Sequence, residues 1–299
     1  MTIGFVSCNL VGAITEDDEM IATALTKVGF AVRSVLWDGD EPDECVEALV
    51  LRSPWNYHLA PDAFLRWVER QNTSSVVYND PQTIRWNAHK SYLFDLERSG
   101  VPIAPTVLCP MHEASDLRAI MRERNWNRAV VKPAISASSF MTSIVGPPEQ
   151  STMHQALHGR VVADGQPMLD RILETRAALV QPFMPEILER GERCLIFIDG
   201  AFSHAVRKTP FTDVCGKGEA VTAEPEEIAL GLRALSVVPR APLYARVDLL
   251  RRNDGIDLVM ELELIDPELY IRFDPESANR FASAMLRRLN RPDSSGRSL

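Results

Sequence analysis

Tyr244-Ala245-Arg246-Val247-Asp248-Leu249-Leu250 and, beyond Asn253-Asp254-Gly255, Leu258-Val259-Met260-Glu261-Leu262-Glu263-Leu264 decide how this chain is read. Polar and apolar residues alternate in both halves, which is the period of a half-buried strand, and Asp254-Gly255 is a hairpin turn signal. If those two residues form the turn, Asn253 pairs with Ile256. Counting back then sets Asp248 opposite Glu261 and Arg246 opposite Glu263, with all four side chains on one face. Ala245, Val247, Leu249, Met260, Leu262 and Leu264 fall on the other. Opposed carboxylates repel unless a cation lies between them, and hard divalent ions such as Mg²⁺ take oxygen ligands of this kind. Asp248, Glu261 and Glu263 are therefore candidate metal ligands beside Arg246; the alternative is the wet face of an amphipathic hairpin. A change of one residue in the turn would shift the register and scatter the cluster.

Working outward, runs over 193–198 and 201–207 flank Asp199-Gly200, a second two-residue hairpin signal. A helix over 224–238 separates the two hairpins, another follows over 275–289, and the Ser-rich tail from 293 reads as frayed. In the first third, short apolar runs alternate with helical periodicity, the pattern of a parallel sheet covered by helices. Strands are predicted over 3–7, 31–36, 48–51 and 75–77, with helices over 18–28 and 61–71, the second opened by Pro61. Asn79-Asp80-Pro81 marks a turn, and one helix over 82–98 should lead out of this domain. The middle third reads as strands over 107–108, 129–132, 141–145 and 178–181, with helices over 113–124 and 148–158. There is no internal repeat.

The 299 residues are 45% hydrophobic and 24% charged, enough to build a core and too apolar for a disordered chain. Lys and Arg number 32 against 41 Asp and Glu, a formal charge of −9, so no broad nucleic-acid surface is expected. An anionic ligand must be met by a local cluster of bases. Cys8, Cys45, Cys109, Cys194 and Cys215 form no C-x-x-C pair and read as reduced thiols of a cytoplasmic protein. No basic leader opens the sequence, and no apolar run approaches the ~20 residues that span a bilayer.

Further candidates lie along the chain. Lys132 ends an apolar run and precedes Ser136-Ala137-Ser138-Ser139. A strand-end lysine beside a loop of small residues suits a polyphosphate, whereas a lysine at a sheet edge can simply snorkel. Cys215-Gly216-Lys217-Gly218 lacks the remaining residues of a Walker loop, and no G-x-G-x-x-G follows the first strand. Val180-Gln181-Pro182-Phe183-Met184-Pro185 leaves a strand with two prolines and reads either as a heterocycle-binding edge or as a linker. Arg52-Ser53-Pro54-Trp55-Asn56-Tyr57-His58 follows the third strand, where open α/β sheets bind ligands; Arg52 could grip a carboxylate, and Trp55 and Tyr57 could shape a pocket. His89, His112, His154, His158 and His204 show no ligand spacing and read as surface residues.

Taken in order, these pieces resemble the ATP-grasp superfamily across nearly the whole chain. The resemblance implies an α/β and α+β architecture: a small parallel-sheet N-terminal domain over 1–85, then two ATP-grasp subdomains over 86–176 and 177–299. It makes Lys90 and Lys132 the phosphate-binding lysines, Gln181, Pro182, Phe183 and Met184 the adenine hinge, and Glu192 the ribose acid. Arg246 and Lys132 become catalytic, and Asp248, Glu261 and Glu263 hold one or two Mg²⁺ against ATP. Arg52, Trp55, Tyr57, His58 and Lys208 are assigned to an amino-acid-like substrate, with Lys208 and residues 209–219 as a lid. Two positions depart from the pattern: the loop after Lys132 is Ser-rich where glycine is usual, and Glu263 replaces an asparagine. The implied activity is carboxylate–amine ligation through an acyl phosphate. Residues 52–58 and 180–210 resemble a cyclo-ligase, which closes a ring within one molecule; two-substrate amide ligation and nucleotide binding without chemistry are the alternatives. A homo-oligomer is the expected assembly.

Overall fold

Every residue of Ala48–Ser53 is buried, as a strand must be when both faces of its sheet are covered. This strand is β3 of a parallel sheet ordered β2-β1-β3-β4, with β1 at Thr2–Ser7, β2 at Ala31–Leu36 and β4 at Val76–Tyr78. The computed structural model describes residues 1–12, 14–39, 46–147, 161–208 and 218–289. Helix Glu16–Lys27 begins where Thr15 accepts a hydrogen bond from the Asp18 N–H and four acids occupy the first turn, both favourable at a helix N-terminus. Helix Pro61–Gln71 starts at the expected proline.

The single helix expected over 82–98 is two, Pro81–Ala88 and Tyr92–Arg98. His89 between them is extended, at φ −105° and ψ 120°. The Lys90 N–H leaves the helical ladder to donate to the Ala134 carbonyl at 2.8 Å, and the Ser91 N–H donates to His89 Nδ1 at 3.2 Å. Tertiary hydrogen bonds thus outweigh helix propensity at this point.

The middle sheet has the order β5-β9-β6-β7-β8, from Val107–Cys109, Ala178–Pro182, Ala129–Pro133, Ser143–Val145 and Val161–Val162. Helices Leu117–Glu123 and Gln166–Leu173 pack on it around Leu117, Val131, Leu169 and Ile172. The second of these was not foreseen; the expected helix over 148–158 lies outside the described residues. Because β9 pairs with both β5 and β6, the sheet continues through Pro182, past the division placed at 176. Tyr92, Leu96, Val101 and Ile103 instead join the core of the third sheet, and the Ala104 N–H donates to the Val259 carbonyl at its edge at 3.1 Å.

The third sheet is antiparallel, β12-β11-β10-β13-β14, from Gly218–Val221, Ala201–Lys208, Glu192–Ile198, Tyr244–Arg251 and Asp257–Glu263. Asp199 and Gly200 both have positive φ, 52° and 79°, as a two-residue hairpin turn requires. The β13–β14 turn differs from expectation. The Arg252 N–H donates to the Ile256 carbonyl at 2.9 Å, so residues 253–255 form a three-residue turn and Leu249 pairs with Val259, one off the expected register. A bulge at Met260 takes up the difference, and Asp248 faces Glu261 and Arg246 faces Glu263 after all. Met260 thereby leaves the face of Leu249 and Leu262 and packs toward Phe183 and Ile187.

The first and third sheets share one core, in which Ile3, Phe5 and Leu25 meet Ile196, Tyr244 and Phe281. Two buried asparagines fasten that junction. Asn79 Nδ2 donates to the carbonyls of Tyr244 and Leu264, both at 2.9 Å, and its Oδ1 accepts from the Leu243 N–H at 2.6 Å. Asn87 likewise bridges the Leu262 carbonyl and the Leu264 N–H. Asn79→Ala leaves these backbone groups buried and unpaired, so it should lower the unfolding free energy by about 2–4 kcal/mol in a urea titration. A loss under about 1 kcal/mol would show that the junction does not depend on this side chain.

Candidate active site

A cavity of about 380 Å³ lies between the middle and third sheets. Its floor is the acidic face of β13 and β14, and four cations converge there. Lys90, directed inward by the helix break, sits 2.6 Å from Glu261 Oε1 and donates to the Ser136 carbonyl at 3.0 Å. Lys208 reaches Asp248 Oδ2 at 2.6 Å and Glu192 at 3.1 Å. Arg246 grips Asp248 with two nitrogens, Nε at 2.8 Å and Nη2 at 3.0 Å, and pairs also with Glu263. Lys132 lines the cavity without an ion pair to any described residue.

Burial opposes every one of these charges, and the neighbours decide the outcome. Burial would raise the Glu261 carboxyl, but Lys90 and Lys132 bring it down to about 2. Asp248, between Arg246 and Lys208, is held still further below the usual carboxylate range. For Glu263 burial prevails: Arg246 pulls its pKa down, Glu261 and Asp248 push it up, and it rises to about 8. Lys132 is lowered by burial and by repulsion from Lys90 and Lys208, against the pull of Glu261.

The three acids foreseen as a metal set do share a face, yet each already holds a basic partner. Among the described residues no three acidic, histidine or cysteine side chains are grouped to hold a metal ion as they stand. Asp248 is 1% exposed with both oxygens committed. Glu261 and Glu263 line the cavity, and each keeps Oε2 without an ion pair to a described residue.

At one end the cavity is walled by Val130, Gln181, Pro182, Phe183, Met184 and Met260. The Gln181 side chain turns away, donating to Thr106 Oγ1 at 2.9 Å. The linker reading describes this segment, since β9 and β10 belong to different sheets and residues 183–191 join them. Ser136, Ser138 and Ser139 line the cavity from the loop after Lys132. Ser138, Ser139 and Met141 lie at φ 49°, 56° and 50°, so this loop adopts backbone conformations that favour glycine without containing one.

Trp55, Tyr57, Asp266, Glu268 and Tyr270 also line the cavity. Arg52, foreseen as a substrate anchor, is not among the lining residues. It is 3% exposed, its Nε 2.7 Å from Asp18 and its Nη2 donating to the Pro267 carbonyl at 3.2 Å. His58 also lies behind the wall, buried against Phe140 with ring centroids 4.9 Å apart. Lys208 belongs to the acid cluster, and the stretch 209–217 foreseen as a lid lies outside the described residues. His204 is largely buried rather than a surface residue, its Nε2 3.0 Å from the Leu269 carbonyl. Asp266, Glu268 and Tyr270 were missed, although Asp266-Pro267 directly follows the acid strand. Cys8, Cys109 and Cys194 are buried free thiols, and no described helix is long and apolar enough to cross a membrane.

Comparison with known proteins bears on this geometry. A family model described as the N-terminal domain of D-cycloserine synthetase DcsG matches residues 3–79. The cycloserine biosynthesis protein DcsG of Streptomyces lavendulae is 30% identical, covering 92% of this chain and 95% of its own. The crystal structure of D-cycloserine synthetase DcsG is similar with a TM-score of 0.82 and 26% identity, over 96% of this chain and 99% of that one. At 15% identity and a TM-score of 0.66, a RimK-domain ATP-grasp protein from Sphaerobacter thermophilus shares the fold over 95% of this chain and 99% of its own. So does the D-alanine–D-alanine ligase from Bacillus anthracis complexed with ATP, at 12% identity and 0.61, over 96% of each chain.

The raised Glu263 carboxyl has a measurable sign. The folded chain holds this proton more tightly than the unfolded chain, whose carboxylate titrates near 4.5, so stability falls as pH climbs from about 4.5 to about 8. Without nucleotide and in a chelating buffer, Glu263→Gln should melt above the wild type at pH 8.5 and lose that advantage near pH 4. A difference in Tm that stays constant across this range would refute the assignment.

Proposed function

Because this chain belongs to the D-cycloserine synthetase family of ATP-grasp ligases, we propose that it closes the ring of D-cycloserine, an antibiotic, from O-ureido-D-serine at the expense of ATP. The observation that carries the reading is the convergence of Lys90, Lys132, Lys208 and Arg246 on the acids of β13 and β14, in a cavity between two sheets. Four cations and an apolar wall suit a triphosphate with its base. Phe183, Met184 and Met260 face adenine, Glu192 the ribose, and Lys90 and Lys132 the phosphate oxygens. With no direct ion pair to a described residue, Lys132 is the cation whose charge is most available to a ligand.

The γ-phosphoryl group passes to the substrate carboxylate, giving an acyl phosphate. Arg246, fixed by its two bonds to Asp248, stabilises the charge that spreads over the transferring group. The nitrogen on the side-chain oxygen gives up its proton and attacks the carbonyl, phosphate leaves and a five-membered ring closes; water then cleaves the carbamoyl group from the ring nitrogen as carbamate, which breaks down to carbon dioxide and ammonia. Both reacting groups belong to one molecule, so the site gains rate by holding it folded. The donor set fits Mg²⁺: Glu261 and Glu263 offer carboxylate oxygens, and Asp248 joins them if Lys208 turns to phosphate. Bound there, Mg²⁺ would offset the phosphate charge.

Wild-type protein given ATP, Mg²⁺ and O-ureido-D-serine should release ADP with no second amino acid present. Release only when two separate amino acids are supplied would favour amide coupling, and binding without release would favour a nucleotide module. Lys132→Ala should raise the KM for ATP by about tenfold or more, the effect of one lost charge-assisted hydrogen bond. Glu261→Ala should abolish turnover while the Tm shows a folded chain; full activity at saturating Mg²⁺ would remove Glu261 from the mechanism.

A further inference from the structure

After β14 ends at Glu263, residues 264–273 run beside the cavity, and their backbone is fixed by side chains from elsewhere. Arg52 donates to the Pro267 carbonyl and Arg246 to the Glu268 carbonyl, both at 3.2 Å, while the Tyr244 hydroxyl, bonded to the Leu51 carbonyl at 2.6 Å, lies 3.3 Å from that of Ile265. His204 Nε2 lies 3.0 Å from the Leu269 carbonyl. The Asp17 carboxylate accepts from the N–H groups of Ile271 at 3.1 Å and Arg272 at 3.3 Å. Tyr270 is held at φ 54° and ψ 37°, a conformation that a tyrosine adopts only under such constraint. This strap presents Asp266, Glu268 and Tyr270 to the cavity.

The carboxylates lining the cavity are otherwise taken. Glu192 pairs with Lys208, Glu261 with Lys90, Glu263 with Arg246 and Glu268 with Arg272 at 2.7 Å. Asp266 has no ion pair with any described residue. It lines the same cavity as Lys90 and Arg246; burial pushes its carboxyl up to about 7, against the pull of those two cations. A carboxylate in this position gains from a cation supplied by the ligand.

An amino acid whose carboxylate is phosphorylated among Lys90, Lys132 and Arg246 carries its ammonium one carbon away, beside the strap. We infer that Asp266 is the residue that receives the substrate's α-ammonium group and so selects an α-amino acid over other carboxylates. This rests on the ligase reading above, and the test separates the two. If wild-type protein releases no ADP with O-ureido-D-serine, the ligase reading fails first. Given that turnover, Asp266→Asn should raise the KM for O-ureido-D-serine by about 10- to 100-fold, the loss of one charge-assisted hydrogen bond, with the KM for ATP unchanged. The deamino analogue 3-(ureidooxy)propanoate should be a correspondingly poor substrate for the wild type, and Asp266→Asn should cost nothing further on it. An unaltered KM for O-ureido-D-serine in the variant, or an equal loss on both compounds, would overturn the assignment. So would equal kcat/KM for the two compounds with the wild type, a measurement that needs no variant.

Discussion

The organising constraint of this molecule is charge compensation under a sheet. Asp248 lies on β13, between β10 and β14 of the five-stranded sheet, 1% exposed, where an isolated carboxylate would give up its charge. It stays ionised because Arg246, two residues along the same strand, reaches it with two nitrogens while Lys208 approaches from β11. Everything else at the site is arranged around that solution. Lys90 answers Glu261, and Arg246 answers Glu263 as well as Asp248. These pairs offset the expense of burying ionised groups more than they add stability, and what they secure is a fixed array of alternating charge.

That array explains why the surrounding elements break rules of local preference. The helix that would run from Pro81 to Arg98 is interrupted so that Lys90 faces Glu261. The β13–β14 ladder admits a bulge at Met260, and Ser138, Ser139 and Met141 take left-handed conformations with side chains attached. Tyr270 does the same on the strap. Each departure costs something locally; tertiary hydrogen bonds hold the helix break and the strap, and turn bonds from Phe140 to Ala137 and from Thr142 to Ser139 hold the serine loop.

How much of this was legible in the sequence follows from what kind of information each feature needed. The parallel sheet, the two hairpins and the acidic face are periodic, and periodicity is local, so they could be read directly. The pairing of Asp248 with Glu261 was reached through a two-residue turn that the protein does not have; the longer turn and the bulge cancel. Lys90 was placed by resemblance, but the helix break that aims it depends on a hydrogen bond to Ala134, distant in sequence. Arg52 misled because a residue at the carboxyl end of a parallel strand ordinarily faces ligand, whereas here Asp18 and the Pro267 carbonyl claim it. Asp266 was passed over because nothing local marks a carboxylate that lacks a partner. That property emerges only once every neighbouring acid has been assigned its base.

The packing also divides the site into a fixed part and a separately cored part. The N-terminal sheet and the third sheet share one hydrophobic core, reinforced by Asn79 and Asn87, and the strap is fastened by residues from both. The acids, Arg246 and the proposed substrate end therefore belong to one body. The middle sheet has a core of its own around Val131, Leu169 and Ile172. It meets the third sheet through residues 183–191, through a small cluster in which Ile144, Phe183 and Ile187 join Leu250, and through Ala134 and Leu179, which enter the core of Leu195, Leu249 and Val259. Lys132 and the serine loop ride on this second body. Lys90 ties this second body to the acids: its N–H donates to the Ala134 carbonyl at 2.8 Å and its ammonium to the Ser136 carbonyl at 3.0 Å, while the same ammonium pairs with Glu261. A displacement of the middle sheet would therefore be felt at Glu261, so the placing of the serine loop and the charge of the acid strand are coupled through one buried lysine.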